Sequence, residues 1–345
     1  MSNFYELKIQ KIIKETPNAV SIAFEIPEDL KAAFQYKAGQ YITIKKELAG
    51  KEIRRAYSLC SKPNSEEFKV AVKAVDNGTF SVFATTILKE GDVLEVSKPE
   101  GKFVLETSSN NSKNYLGIAA GSGITPIMSM IKEVLNEEPN STFTLLYGNK
   151  TEAETIFKDE IDALKNEFSS TFNVQYVLSR EEKENALAGR INAENLKAIL
   201  KNRFDEAFIC GPEEMIKTSK ETLINYGLNE ENIKFELFTA SADTNETEGV
   251  YEGECDITVI VDEEEETFTM NSKTTVLTAA LEEGLDAPYS CQGGICSSCL
   301  AKVTEGKAVM DKNSILSNEE IEEGLILTCQ AHPVTKKITV DFDDV

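Results

Sequence analysis

Apolar residues in the first hundred positions recur with a period near two. Residues 5–12 (YELKIQKI), 19–26 (AVSIAFEI), 40–46 (QYITIKK), 68–75 (FKVAVKAV), 92–99 (DVLEVSKP) and 101–106 (GKFVLE) each alternate or run apolar briefly, as strands with a buried face do. Turn formers separate them: Pro17, Ala38-Gly39, Ala49-Gly50, Lys62-Pro63-Asn64, Asn77-Gly78, Glu90-Gly91 and Pro99-Glu100-Gly101. Short strands at this spacing predict a small antiparallel β-barrel, with one helix over 79–88 (TFSVFATTIL).

The period changes after the polar stretch 106–114 (ETSSNNSKN). Apolar strand-like runs at 115–120, 143–149, 172–179, 206–211 and 233–238 now alternate with helical patterns at 125–137, 154–168, 193–203 and 212–227. That alternation predicts an α/β doubly wound parallel sheet. Residues 239–253 are polar and read as a linker. A hairpin over 255–270, a helix over 274–284 opened by Thr274 or Thr275 and stopped by Gly284, a Gly- and Cys-rich loop, and a last strand in KITVDFDDV follow. The chain is expected to be multidomain: 1–107 a barrel, 108–240 an α/β domain, 241–253 a linker and 254–345 a small C-terminal module.

Charge separates the modules further. The 345 residues carry 36 Lys+Arg and 59 Asp+Glu, a net charge of −23. Residues 251–345 hold 20 acidic and 6 basic side chains, hence −14, against −9 for the first 250. A chain this acidic is repelled by phosphate backbones and anionic lipid, so neither nucleic acid nor membrane is expected as a partner. The last module is expected to present an acidic face to a protein, although the run Asp262–Glu266 alone is as well explained by a solvated turn. The N-terminus has no apolar signal segment. The long uncharged stretch 114–131 is broken by Gly, Ser, Thr and Pro, and the protein is expected to be cytoplasmic. An odd count of seven Cys then argues for metal or redox chemistry over a disulfide framework.

Cys291, Cys296 and Cys299 have the spacing C-x4-C-x2-C, with Cys329 the next along. This is the plant-type [2Fe–2S] ligand pattern. Four thiolates must converge on two irons, and one tight loop supplies three of them. Gly293 and Gly294 allow backbone to approach inorganic sulfide, and Ser290, Ser297 and Ser298 offer hydrogen bonds to sulfur. A structural zinc site or plain buried cysteines are the alternatives, but zinc sites usually show two CxxC pairs or added His. His332 is expected at the surface, and Cys60 and Cys255 as buried or incidental.

In the α/β region, Gly121-Ser122-Gly123-Ile124-Thr125-Pro126 follows a strand and opens a helix. Glycines there let backbone approach a pyrophosphate, and the helix N-terminus favours anions. A plain tight turn would read the same way. Cys210-Gly211-Pro212 ends a later strand, where ligands gather in such sheets. Ser179 and Arg180 end the third strand and could hold a ribose 2′-phosphate, which favours NADPH. An exposed salt bridge is the competing use of Arg180, and Glu181 and Glu182 follow it directly.

In the barrel, Arg55, Tyr57, Ser58 and Ser61 lie on or after one strand. An Arg can neutralise a flavin pyrophosphate, an aromatic can stack on the isoalloxazine, and the next hydroxyl can reach the ring. Lys73 with its neighbours, and Gly78-Thr79-Phe80-Ser81, suit backbone and helix-terminus contacts to ring and phosphate. Taken singly, Arg55 and Tyr57 would pass for surface and core residues.

In order along the chain, RAYS, GTFS, GSGITP, CGP and the four-cysteine loop resemble the ferredoxin–NADP⁺ reductase superfamily with a C-terminal plant-type ferredoxin. Within it the sequence is most similar to reductase subunits of phenylacetyl-CoA epoxidase (ring 1,2-oxygenase) complexes, which act in phenylacetate catabolism. The resemblance implies an FAD-binding barrel, an NAD(P)-binding α/β domain and an α+β (β-grasp) ferredoxin domain. It implies FAD at Arg55, Tyr57, Ser58 and Gly78 to Ser81. It places the nicotinamide nucleotide at Gly121 to Pro126 and Cys210 to Pro212, with Thr125 and Cys210 near the hydride path. Glu236 or Phe238 is implied beside the flavin, and Cys291, Cys296, Cys299 and Cys329 on the cluster. Relatives commonly have Cys where this chain has Ala56. Electrons would pass from NADPH through FAD and [2Fe–2S] to a diiron oxygenase. An NADH-dependent reductase of another aromatic or alkane hydroxylase, and a non-catalytic iron–sulfur carrier or sensor, are the competing readings. A carrier needs neither RAYS nor CGP.

Overall fold

Strands β1 (Phe4–Thr16) and β2 (Ala19–Glu25) pair antiparallel across Pro17-Asn18. They are followed by β3 (Tyr41–Leu48), β4 (Lys51–Ser58), β5 (Phe68–Lys73), helix α1 (Thr79–Thr86) and β6 (Val93–Ser97). The computed structural model describes residues 4–201, 203–239 and 253–345. The described chain divides into two compact units, one within Ser2–Thr239 and the other within Ala240–Val345.

The barrel strands form a six-stranded antiparallel sheet in the order β4-β3-β6-β1-β2-β5. A bridge between Leu59 and Val70, and a Cys60 N–H to Lys69 carbonyl bond of 2.8 Å, draw the two edges together. Leu7, Ile22, Ile42, Ile44, Val70 and Val96 fill the interior, all fully buried. Ala49 (φ 53) and Gly50 (φ 73) make the two-residue β3–β4 turn left-handed, as tight hairpins require. Residues 101–106, expected as a strand, contribute only isolated bridges around Glu100 and Leu105.

The second half of this unit comprises β7 (Asn114–Ala120), α2 (Ile124–Glu137), β8 (Thr142–Asn149), α3 (Lys158–Glu167), β9 (Phe172–Leu178), β10 (Ala186–Ala188), α4 (Ala193–Ile199), β11 (Glu206–Pro212), α5 (Glu213–Asn225) and β12 (Ile233–Thr239). All pairings are parallel, in the order β10-β9-β8-β7-β11-β12. The chain leaves β7 toward β8, while β11 lies on its other side. The strand order therefore reverses between β7 and β11, where such sheets bind ligands. Helix α2 packs on β7, β8 and β11 and is buried along most of its length. One apolar cluster joins Ala38, Cys60, Phe103 and Leu105 of the barrel half to Ile124, Ile127, Met130 and Ile131 of α2. The two halves thus share a core.

The second unit holds β13 (Glu254–Val261), β14 (Glu264–Asn271), α6 (Val276–Glu282), β15 (Leu300–Glu305), β16 (Ala308–Met310), α7 (Asn318–Glu322), β17 (Leu325–Leu327), β18 (Ala331–Pro333) and β19 (Lys337–Asp341). Its mixed sheet runs β14-β13-β19-β15-β17, with β13 and β19 parallel and the other pairs antiparallel; β16 and β18 pair separately. Thr275 caps α6 by accepting the Thr278 N–H at 3.3 Å. The β13–β14 turn places Asp262 and Glu263 at positive φ. The Asp343 carboxylate offsets that strain by accepting both turn N–H groups, at 3.2 and 2.8 Å. Of the expected linker 241–253, all but Gly253 lies outside the described residues. No helix among the described residues is long and apolar enough to cross a membrane.

Candidate functional site

The carboxyl ends of β7, β11 and β12 set Ala119, Cys210 and Glu236 side by side in register. Gly121–Gly123 forms a 3-10 turn between β7 and α2. Gly121 has φ 55, a left-handed value that suits glycine. A Cβ on Gly123 would fall 2.3 Å from the Cys210 carbonyl oxygen, so only glycine lets α2 start against β11. Thr125 is buried, with its hydroxyl donating to the Ser122 carbonyl at 3.0 Å. Pro126, in the first turn of α2, is also buried. Gly211 has φ 155 and packs near Met215 and Ala120. Ser179 and Arg180 follow β9 directly and are exposed, Ser179 bonded to the Asn149 carbonyl and Arg180 N–H to the Lys150 carbonyl at 2.8 Å.

Across from this loop lies the end of β4. Arg55 is exposed, and Tyr57 is half-buried with its ring 5.6 Å from that of Phe80. Ser58 reaches toward β12, its hydroxyl 3.5 Å from Glu236 Oε2. Lys73, at the end of β5, directs its ammonium toward Gly121 and lies 3.9 Å from Glu154. Gly78 caps α1, Thr79 is exposed, and the Ser81 hydroxyl accepts the Val75 N–H at 3.3 Å. Phe238 is half-buried against the shared core.

One expected flavin contact turns its side chain inward. Ser61 is fully buried; its hydroxyl bonds to the Tyr36 phenol at 2.9 Å and accepts the Lys69 N–H at 3.0 Å. It braces the barrel interior. The Phe80 ring is 1% exposed and supports Tyr57 from behind, so the contact expected of this residue falls to its backbone at the start of α1.

Glu236 lies in β12 beside Ser58. Burial pushes its carboxyl up to about 8, only partly opposed by the Ser58 hydroxyl. Burial, with the nearby Glu236 carboxylate, likewise raises the Cys210 thiol well above its usual range. Around neutral pH the Glu236 carboxyl is therefore held mostly protonated. Its folded-state value exceeds the unfolded one, so its ionisation costs stability as pH rises from about 4.5 through 8. Glu236→Gln keeps the shape and removes the ionisation. Melting curves are expected to show the variant gaining on the wild type at pH 8.5 relative to pH 5; parallel pH profiles would contradict this placement.

In the second unit, sulfur contacts link Cys296 to Cys291, Cys291 to Cys329, and Cys329 to Cys299. All are free cysteines, and three are buried. The loop is built around them. Gln292 (φ 52) and Gly294 (φ 68) are left-handed, whereas the sequence points to Gly293 and Gly294. A Cβ on Gly294 would lie 2.7 Å from the Lys312 carbonyl. Gly293 N–H points at Cys291 Sγ, 3.4 Å away. The buried Ser290 hydroxyl has no protein partner, as a donor reserved for a sulfur would. No group of three or more His, Cys, Asp or Glu among the described residues forms a ready single-ion site. The two-iron fit therefore rests on the thiol set, the left-handed loop, the Gly293 N–H aimed at sulfur and the unpartnered Ser290 hydroxyl. His332 is not at the surface: it is buried, with Nδ1 3.1 Å from the Ser272 carbonyl and Nε2 3.0 Å from Asp311.

Three family models match the chain. Residues 6–105 match an oxidoreductase FAD-binding domain, 118–221 an oxidoreductase NAD-binding domain, and 259–334 a 2Fe-2S iron-sulfur cluster binding domain. The chain is 36% identical to a subunit of the 1,2-phenylacetyl-CoA epoxidase of Escherichia coli (strain K12), covering 99% of both chains. The chain belongs to the ferredoxin–NADP⁺ reductase superfamily. Its reductase relatives include the ferredoxin reductase component of 3-ketosteroid-9-alpha-monooxygenase from Rhodococcus rhodochrous, 32% identical over 97% of this chain and 96% of the relative. The fold matches a crystal structure of phthalate dioxygenase reductase with a TM-score of 0.63 at 22% identity, over 98% of each chain.

As a member of this superfamily the reductase carries FAD-, NAD- and [2Fe–2S]-binding domains. Bound flavin converts a two-electron hydride into single electrons, and the cluster carries them one at a time. The protein's part is to hold and orient these groups. Tyr147 joins that work without any motif to mark it: fully buried, its hydroxyl donates to the Gly121 carbonyl at 3.0 Å and steadies the turn. Asn149 is equally unmarked; its carbonyl holds Ser179, and its buried side chain sits against the Tyr147 hydroxyl. The only sequence signal is their place at the end of a strand, in Leu-Tyr-Gly-Asn.

Proposed function

We propose that this protein is the NADPH-dependent reductase component of a multicomponent oxygenase, passing electrons from NADPH through FAD and [2Fe–2S] to a diiron partner of the phenylacetyl-CoA epoxidase kind. The observation that carries the reading is the end-to-end 36% identity with a component of that epoxidase, joined to a nucleotide turn, a flavin-facing strand and a four-thiol loop in one chain. In this reading 1–107 holds FAD through Arg55, Tyr57, Ser58 and the Gly78–Ser81 segment. Residues 108–240 hold NADPH at Gly121–Pro126 and Cys210–Pro212, and 254–345 the cluster. The enzyme would work in the cytoplasm.

Electrostatics at the end of β9 favour NADPH. Glu181, which could repel a 2′-phosphate, is committed elsewhere: it accepts the Glu152 N–H at 2.8 Å and pairs with Lys183 at 3.2 Å. These contacts hold its carboxyl below the usual range. Glu152 is bound to Lys183 in turn, at 2.9 Å. Exposed Arg180 stands beside Ser179 as a cation for that phosphate. A charge-assisted contact to phosphate contributes about 1.5–3 kcal/mol, so Arg180→Ala is expected to raise the KM for NADPH roughly ten- to a hundredfold and leave that for NADH unchanged. Equal kinetics on both nucleotides in wild type and variant would remove the preference for NADPH and the role of Arg180 in it.

A further inference from the structure

Helix α2 carries the nucleotide turn at its first residue and is bolted to the flavin-bearing segment further along. Ser129 Oγ donates to the Ser61 carbonyl at 2.7 Å, and Lys132 Nζ to the Cys60 carbonyl at 3.0 Å. These carbonyls lie just past Ser58, where the barrel closes. The Lys132 ammonium also pairs with Glu160 of α3 at 2.6 Å. Glu160 lies 3.9 Å from Lys69 of β5, which pairs with Glu67 at 3.1 Å. The Lys69 carbonyl in turn receives the Cys60 N–H at 2.8 Å and the Cys60 thiol at 3.3 Å. The circuit runs from α2 to α3 to β5 and back to the segment that α2 holds. Ser129 is fully buried, and the Lys69 and Lys132 side chains are 5% and 12% exposed.

We infer that Ser129 and Lys132 are positioning residues for hydride transfer, fixing where a nicotinamide held at the start of α2 meets a flavin held on β4. The inference rests on the function proposed above. The apolar core shared by the two halves supplies adhesion, but burial is non-directional and resists small sliding weakly. Two hydrogen bonds and a half-buried ion pair fix register as well. From Gly123 to Ser129 is about 9 Å of helix and to Lys132 about 14 Å, a short lever, so release at the clamp moves the turn directly. Hydride transfer needs reacting atoms about 3–3.5 Å apart, and an error of about 1 Å can cost about a hundredfold. Nucleotide affinity depends on contacts within the α/β half and is insensitive to that shift.

The test uses the full chain with flavin and cluster bound, comparing wild type, Lys132→Met, Lys132→Arg and Ser129→Ala. Anaerobic single-turnover mixing with NADPH gives the limiting rate of flavin reduction. Titration with NADP⁺ gives affinity, and long-wavelength absorbance of the reduced flavin with NADP⁺ reports ring-to-ring contact without turnover. Lys132→Met is expected to reduce about 10- to 100-fold more slowly, with a weaker long-wavelength band and NADP⁺ affinity within about threefold of wild type. Lys132→Arg, which can still donate to the Cys60 carbonyl and pair with Glu160, is expected to restore both. Ser129→Ala, which loses one hydrogen bond of about 1 kcal/mol, is expected to slow reduction about fivefold, and it carries the test alone should Lys132→Met not retain flavin. Wild-type rate and band in the variants, with only a lower melting temperature, would overturn the inference; so would a loss confined to NADP⁺ affinity. A wild type that neither NADPH nor NADH reduces would overturn the proposed function itself, a result visible before any variant is made.

Discussion

Cys329→Ser is expected to abolish delivery of electrons to an oxygenase while leaving reduction of the flavin by nucleotide intact. Cys329 comes from the corner between β17 and β18, is buried, and its sulfur contacts those of Cys291 and Cys299. It joins the three-cysteine loop to the rest of the module, so the loop alone cannot complete the thiolate set that two irons require. Even changes in outer-shell partners cost metal sites about 10–100-fold, and loss of a ligand costs more. The variant should therefore lack the cluster's visible and EPR signals. Cys255→Ser is the matched control. Cys255 is likewise buried but lies in the β13 core, its thiol 3.5 Å from the Asp256 carbonyl oxygen, so its loss should leave the cluster signals unchanged. A Cys329→Ser protein that keeps a full [2Fe–2S] spectrum would remove this residue from the ligand set.

The second large effect is expected at Gly123. Its missing side chain is what lets α2 begin against β11: a Cβ would stand 2.3 Å from the Cys210 oxygen and 2.6 Å from its carbonyl carbon. Both are backbone atoms of a central strand and cannot swing aside, so the helix start must move instead. A displacement near 1 Å at a reacting centre is worth about a hundredfold in rate. Gly123→Ala should lower NADPH-driven flavin reduction by about that factor, with flavin content and cluster spectrum unchanged. Reduction at the wild-type rate would show that the turn is not the nucleotide seat.

Legibility in the sequence follows the range of each interaction. The cysteine loop, the Gly-rich turn and the alternation of strands and helices are readable because their determinants sit within a few residues of one another. Strand β4 is only half visible, since Lys51, Glu52, Arg54 and Arg55 mask its alternation with charge. Ser61 reads as a flavin contact only through its nearness to a motif, which says nothing about which way a side chain points; its hydroxyl turns inward. His332 reads as a surface residue, yet Asp311 and the Ser272 carbonyl enclose it. The raised carboxyl of Glu236 comes from burial that its sequence neighbours do not signal, and the hydroxyl that partly opposes it, Ser58, lies 178 positions earlier. The Lys132 clamp closes over 72 positions onto a backbone carbonyl, a contact that leaves no pattern in side-chain identity.

The central claim is an ordered path from nicotinamide to flavin to cluster within one chain. Its most direct test is anaerobic stopped-flow mixing of the purified protein with NADPH or NADH, following flavin and iron–sulfur absorbance together. The path requires flavin bleaching first and cluster bleaching after it, both faster with NADPH. Cluster reduction without prior flavin reduction, or no reduction by either nucleotide, would contradict it.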